Sequence, residues 1–67
     1  MTDDKLVRMA NQIATFFATQ PDADKASKVA AHLTDFWDPA MRAQLSAYAA
    51  QGGTGLDPLA LDAAKLL

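Results

Sequence analysis

The sequence contains no cysteine and a single histidine, His32, among its 67 residues. Without thiols the chain can form no disulfide and can offer no thiolate to zinc or to an iron–sulfur cluster. The eight acidic residues are all aspartates, and with only one histidine they show no metal-ligand spacing. The sequence therefore predicts a chain that holds no metal or cofactor and is not an enzyme by itself.

Long apolar runs and a basic surface are also missing. No window approaches the roughly 20 apolar residues of a membrane span, and the acidic start, Met1 to Lys5, lacks the basic flank and apolar run of a signal peptide. The formal net charge is -2, and acidic residues precede basic ones by four positions, as in Asp24 and Lys28, which leaves no positive stripe for phosphates. We therefore expect a soluble cytoplasmic protein that binds neither membrane nor nucleic acid.

Three prolines and three glycines divide the chain into helical segments. Within the segments, apolar residues recur at three- and four-residue steps, without strand-like alternation. Pro39 after Asp38 predicts that one helix ends near Trp37 and that another begins with Asp38 as its N-cap, and Asp57-Pro58 repeats the pattern. We predict an all-α fold, a small bundle of three helices plus a short C-terminal fourth helix. The predicted single domain covers residues 1–67, with helices over about 3–19, 22–37, 39–51 and 58–66.

The apolar stripes predict which side chains share one face of each helix. In the first helix they are Leu6, Met9, Ala10, Ile13, Phe16 and Phe17, and in the second they are Ala26, Val29, Ala30, Leu33, Phe36 and Trp37. The third helix places Met41, Leu45, Tyr48 and Ala49 on one face. The fourth places Leu59, Ala63 and Leu66 on one face, with Leu61 and Leu67 off it.

Apolar residues make up 51% of the sequence, more than so small a domain readily buries. We expect about two thirds of the aromatic surface in the core and the rest in a patch that another protein covers. Arg42 is predicted to pair with Asp38 and to pack on Trp37, the alternative being contact with a partner's carboxylate. The leucine-rich last segment also favours a partner surface. The predicted partner interface consists of Phe17, Phe36, Trp37, Arg42, Leu59, Leu61 and Leu66.

Few residues offer reactive chemistry. His32 is typical of a partly exposed helix surface, the alternative being a pH-sensitive or contact residue at an interface. Ser27 and Ser46 lack a turn motif that would activate a nucleophile. The run Gly52 to Gly55 follows no strand and precedes no lysine, so it predicts a helix C-cap and a link, not a phosphate loop. No catalytic residue is predicted.

Three blocks of residues resemble a known family. They are Lys5 to Ile13 with Phe16 and Phe17; His32 and Leu33 with Phe36 to Pro39, Met41 and Arg42; and Gly52 and Gly53 with Gly55 to Leu59. In this order and spacing they resemble the delta subunit of the NAD-dependent formate dehydrogenases, which are soluble bacterial molybdenum or tungsten enzymes.

The resemblance implies that other chains carry the chemistry. The implied partners are a catalytic alpha subunit with molybdopterin guanine dinucleotide, molybdenum or tungsten, and iron–sulfur clusters; a beta subunit with FMN that handles NAD; and a small iron–sulfur gamma subunit. This chain is implied to hold no cofactor and to support assembly, stability or cofactor retention of the alpha subunit. The matched positions Asn11, Gln12, Trp37, Asp38 and Arg42 would serve contact with the large subunit or the fold alone.

Other functions stay open at the level of sequence. An assembly chaperone that leaves the mature enzyme would share the same features. A homo-oligomeric helical module, such as a homodimer, would cover the apolar surface with a second copy. Two helices joined at Trp37-Asp38-Pro39 also superficially suit a small helix-turn-helix regulator, although the paired charges argue against DNA binding.

Overall fold

Four α-helices form the protein, and the predicted all-α class is confirmed. The computed structural model describes residues 1–67, with α1 at Asp3–Ala18, α2 at Lys25–Phe36, α3 at Pro39–Ala50 and α4 at Pro58–Lys65. The radius of gyration is 10.6 Å, close to the roughly 11 Å expected of a compact domain of this length. No helix combines the length and apolarity needed to cross a membrane.

Side-chain caps begin α1 and α3 where the sequence predicts them. The Thr2 hydroxyl accepts a hydrogen bond from the Lys5 N–H at 3.3 Å, and the Asp38 carboxylate accepts one from the Met41 N–H at 2.8 Å. Pro39 occupies the start of α3, where no intrahelical bond requires its missing N–H. The boundary between α2 and α3 is therefore set by the three residues from Trp37 to Pro39.

Helix α2 begins at Lys25, three residues later than predicted, because Asp24 and not Asp22 is its N-cap. Both Asp24 carboxylate oxygens are engaged by Ser27, whose backbone N–H donates at 3.1 Å and whose Oγ donates at 2.8 Å. The Lys25 ammonium reaches back to donate to the Ala18 carbonyl at 2.7 Å. This contact holds the two ends of the α1–α2 loop together.

The Asp24 cap predicts a specific pH dependence of stability. The backbone and side-chain hydrogen bonds from Ser27 lower the pKa of Asp24 below its ordinary 3.8. A carboxyl whose pKa is lower in the folded state contributes stability above its unfolded pKa and loses it as pH falls through the folded value. The protein should therefore exceed Asp24→Asn in free energy of unfolding at neutral pH, and the gap should close in acid.

Urea titrations of both proteins at several pH values measure this gap. Ser27→Ala keeps the backbone donor and removes only the hydroxyl, so we expect its pH-dependent loss to be smaller than that of Asp24→Asn. A gap that stays constant between neutral and acidic pH would show that the cap acts without titrating.

Gly52 ends α3, as predicted, and Gly53, predicted in the link that follows, takes part in the cap. The Gly53 N–H donates to the Tyr48 carbonyl and the Gly52 N–H to the Ala49 carbonyl, both at 3.1 Å, which is the Schellman arrangement. Gly52 has φ 118° and Gly53 has φ 62°. Gly53 is also buried, and a Cβ there would lie 2.5 Å from Cδ1 of Leu61. A larger residue at position 53 would therefore be strained by the positive φ and would also displace the end of the Leu61 side chain.

Helix α4 is the centre of the packing, although it is the shortest helix. It contacts α1, α2 and α3, and Ala60, Ala63 and Ala64 are almost wholly buried in those contacts. The sequence placed Leu59 and Leu66 on one face and assigned both to a partner surface; Leu66 is exposed, whereas Leu59 is half-buried and packs against the core. A short helix between three others needs alanines because small side chains let the backbones approach closely.

Asn11 on α1 fixes the link that leads into α4. Its side-chain Nδ2 donates to the Gly55 carbonyl at 2.9 Å, and its Oδ1 accepts from the Asp57 N–H at 2.8 Å. The Asp57 carboxylate itself makes no cap hydrogen bond. The first turn of α4 is therefore held by a side chain 46 positions away in sequence.

We expect Asn11→Ala to lower the free energy of unfolding by about 1 to 2 kcal/mol, because two hydrogen bonds are lost. Chemical denaturation measures the loss, and hydrogen exchange at the Asp57 amide should become faster. Gln12→Ala is the matched control, since Gln12 is the exposed neighbour on the same helix. Equal losses in the two variants would contradict the assigned role of Asn11.

Nine of the predicted apolar positions are buried in the core, others such as Met9 and Ile13 pack partly buried against it, and two phenylalanines are left out. Phe16 and Phe36, predicted at the edges of two core stripes, are 60% and 75% exposed. The buried apolar residues are Leu6, Ala10, Ala14, Val29, Ala30, Leu33, Trp37, Leu45, Ala49, Ala60, Ala63 and Ala64.

Candidate docking surface

Four rings from two helices form a continuous cluster on the surface, which we call the aromatic patch: Phe16, Phe17, His32 and Phe36. Phe16 and Phe17 meet edge to face, with ring centroids 5.2 Å apart. Phe17 meets His32 at 5.8 Å, again edge to face, and His32 lies tilted against Phe36 at 4.6 Å. These separations are typical of favourable aromatic pairs.

Helical geometry explains why the four rings meet. His32 and Phe36 are four residues apart on α2, so they occupy neighbouring positions on one side of that helix. Phe16 and Phe17 are consecutive in the last turns of α1 and point about 100° apart. Phe17 therefore reaches the core edge beside His32, while Phe16 extends the cluster toward solvent.

Covering the exposed rings of the patch would contribute favourable free energy to the binding of a partner. Phe16 and Phe36 together expose roughly 270 Å², if about 200 Å² is taken for a whole phenylalanine. Covering that area would contribute roughly 7 kcal/mol at 25 cal/mol per Å². Association costs about 4 to 15 kcal/mol, so the patch can anchor an interface but needs a wider contact around it.

The total accessible surface of the chain is that of an ordinary compact monomer. The accessible surface is 4078 Å², which is about what a folded monomer of this mass exposes. The large apolar side chains that remain exposed are Met1, Phe16, Phe36 and Leu66. The other large apolar side chains are buried or half-buried, so the exposed surface of large apolar side chains is concentrated in these four.

The seven residues of the predicted partner interface do not form one surface. Phe17 and Phe36 lie in the aromatic patch. Trp37 is only 6% exposed and belongs to the core, so its indole is not available on the surface. Leu59 and Leu61 are half-buried and pack against the core, and the remaining two, Arg42 and Leu66, line a separate groove.

The predicted packing of Trp37 on the Arg42 guanidinium is replaced by hydrogen bonds to backbone. Arg42 Nη1 donates to the Trp37 carbonyl at 2.6 Å and to the Thr34 carbonyl at 3.1 Å. These carbonyls belong to the C-terminal end of α2, where the helix dipole favours a cation. Arg42 thus fixes the angle between α2 and α3 through charge-assisted hydrogen bonds.

Two members of the patch were missing from the predicted interface. Phe16 was assigned to the core stripe of α1, and His32 was weighed as a surface or interface residue. The signal that links His32 to Phe36 is their four-residue spacing. No sequence signal shows which of two consecutive phenylalanines faces solvent.

The side chains considered above for reactive chemistry make structural contacts. The Ser27 hydroxyl donates to the Asp24 carboxylate as part of the helix cap, and His32 lies between phenylalanine rings. No group of three or more His, Cys, Asp or Glu side chains is positioned to bind a metal ion.

The fold and surface define a small all-α protein that presents an aromatic cluster beside a tightly packed core. The family model described as NADH-dependent formate dehydrogenase delta subunit FdsD matches residues 5–64. The chain therefore belongs to the family of delta subunits of NADH-dependent formate dehydrogenase, and the resemblance seen in the sequence is confirmed. No curated protein matches the chain.

Proposed function

We propose that this chain is a non-catalytic accessory subunit that docks on the catalytic alpha subunit of a cytoplasmic formate dehydrogenase through the aromatic patch. The observation that carries the proposal is the exposed cluster of Phe16, Phe17, His32 and Phe36 in a member of the delta-subunit family. Exposed aromatic residues that are grouped together on a protein surface are typical of the centre of a protein interface.

The role of the docked chain would be to support assembly, stability or cofactor retention of the alpha subunit. In this proposal molybdopterin guanine dinucleotide with molybdenum or tungsten, the iron–sulfur clusters, FMN and NAD are all bound by the alpha, beta and gamma subunits. The present chain has no thiol to ligate a cluster. It would act by covering an apolar surface of the alpha subunit and so stabilising the conformation that holds the cofactors.

Co-expression tests the proposal. A tagged copy of this chain, produced with the alpha, beta and gamma subunits, should purify with them in fixed stoichiometry, and omission of the chain should lower the molybdenum or tungsten content of the purified enzyme. Purification of the tagged chain alone, together with an unchanged metal content, would overturn the proposal.

Two further outcomes distinguish the alternatives. A chain that binds the immature alpha subunit but is absent from the active enzyme would be an assembly chaperone. A chain that forms a concentration-independent homodimer by light scattering, with the patch covered by a second copy, would be a homo-oligomeric module.

A further inference from the structure

A groove on the other side of α2 from the aromatic patch contains a cation with unused hydrogen-bond donors. Thr34 lies two residues from both His32 and Phe36, so it projects from roughly the opposite side of the helix. The groove beside it has a volume of about 300 Å³. It is lined by Thr34, Arg42, Ala43, Ser46, Leu66 and Leu67.

The Arg42 guanidinium is held in place by one of its three nitrogens. Nη1 donates both of its hydrogen bonds, to the carbonyls of Thr34 and Trp37. Nε and Nη2 make no hydrogen bond within the chain. Since no buried side-chain nitrogen or oxygen lacks a partner, these two atoms of the half-buried residue must reach solvent. Their N–H groups lie parallel in the guanidinium plane and form the fork that matches a carboxylate.

The groove is lined by polar and apolar side chains together, which suits an acidic residue with an aliphatic residue beside it. Ser46 is four residues from Arg42 on α3, so its hydroxyl lies on the same side of that helix as the guanidinium. The Thr34 hydroxyl already donates to the Ala30 carbonyl at 2.9 Å. Leu66, which is 58% exposed, supplies apolar surface beside these polar groups.

We propose that this groove binds an acidic side chain of a protein partner, with an aliphatic neighbour of that residue packed against Leu66. Charge complementarity with the guanidinium identifies the occupant as an acidic side chain. The guanidinium is already oriented, so it loses little freedom when its second edge is bound. The groove is open, so a peptide segment can cross it and continue on both sides. The site does not depend on the aromatic patch or on the function proposed for it.

The test is a titration of the full ¹⁵N-labelled chain with the blocked dipeptide N-acetyl-Leu-Glu-amide, followed by NMR. We expect shifts at the Arg42 Nε and at the backbone amides of Thr34, Ser46 and Leu66, with affinity in the millimolar range. The analogue N-acetyl-Leu-Gln-amide has the same shape without the charge. Its affinity should be lower by a factor of about ten or more.

Variants of Arg42 and Ser46 test whether the guanidinium binds the carboxylate, and the Ser46 variants leave Arg42 itself unchanged. Arg42→Lys keeps the charge but removes the fork, so it should lose most of the preference for Glu over Gln. Since that variant also disturbs the end of α2, Ser46→Glu is the second test. A glutamate four residues after Arg42 can occupy the guanidinium from within the chain and should abolish binding, whereas Ser46→Gln should retain it.

Each other outcome would overturn the proposal. Equal affinity for the two dipeptides would show that charge is not recognised, and shifts confined to the aromatic patch would place binding elsewhere. Binding of N-acetyl-Leu-Leu with a free carboxylate, but not of the Glu dipeptide, would indicate a site for a chain terminus. Because the titration uses the isolated chain, its failure would leave co-purification with the enzyme subunits unaffected.

Discussion

Replacement of Phe36 by alanine is expected to weaken binding of this chain to the other formate dehydrogenase subunits by about 30-fold or more. Phe36 is 75% exposed and packs on His32 at the end of the aromatic patch. Central aromatic side chains of an interface typically contribute 2 kcal/mol or more when truncated, and 2 kcal/mol corresponds to about 30-fold in affinity. The core does not contain Phe36, so the helical content should be unchanged.

The measurement is the dissociation constant of the variant chain for a complex that lacks it, with circular dichroism as the check on folding. Asp35→Ala is the matched control, since Asp35 is the exposed neighbour on the same helix and lies outside the patch. We expect that variant to bind as the unaltered chain does. Similar affinities for the Phe36 and Asp35 variants would mean that the patch is not the docking surface.

Leu45→Ala should lower the free energy of unfolding by about 3 to 5 kcal/mol. Leu45 on α3 is fully buried, and no part of its side chain is accessible to solvent. A chain of 67 residues has a total stability of about 3 to 10 kcal/mol. The substitution should therefore leave a substantial fraction of the protein unfolded at room temperature.

Urea denaturation followed by circular dichroism measures this loss. Leu66→Ala removes the same atoms from an exposed leucine, and its effect should be within about 0.5 kcal/mol of zero. Comparable losses at the two positions would show that the core does not close around Leu45 as the structure has it.

Local signals in the sequence were enough to predict the helices. Proline, aspartate and glycine affect the conformation of the residues next to them. For this reason the start of α3 at Pro39 and its end before Gly52 could be predicted from the sequence. The start of α2 was misplaced because two aspartates, Asp22 and Asp24, are both good caps. What separates them is Ser27, three residues after Asp24, which donates twice to its carboxylate.

The candidate site was only partly predictable from the same signals. Periodicity identified Phe17 and Phe36 as edge residues of their stripes, and both lie in the aromatic patch. It placed Phe36 and Trp37 on the same stripe and could not show that Trp37 is buried while Phe36 is exposed, because the rotation of a helix about its axis depends on what packs against it. The edge of a stripe can face either the core or the solvent.

The sequence by itself determined the all-α class, the side-chain caps of α1 and α3 and the family, since each depends on residues close together in the chain or on a pattern of residue identities. Only the tertiary structure decided that α4 lies at the centre, that Asn11 fixes the turn at Asp57 and that Arg42 hydrogen-bonds to the end of α2. These contacts join residues from different elements. Whether a leucine or a phenylalanine is buried is settled by the neighbours that cover it, and those neighbours are not adjacent in sequence.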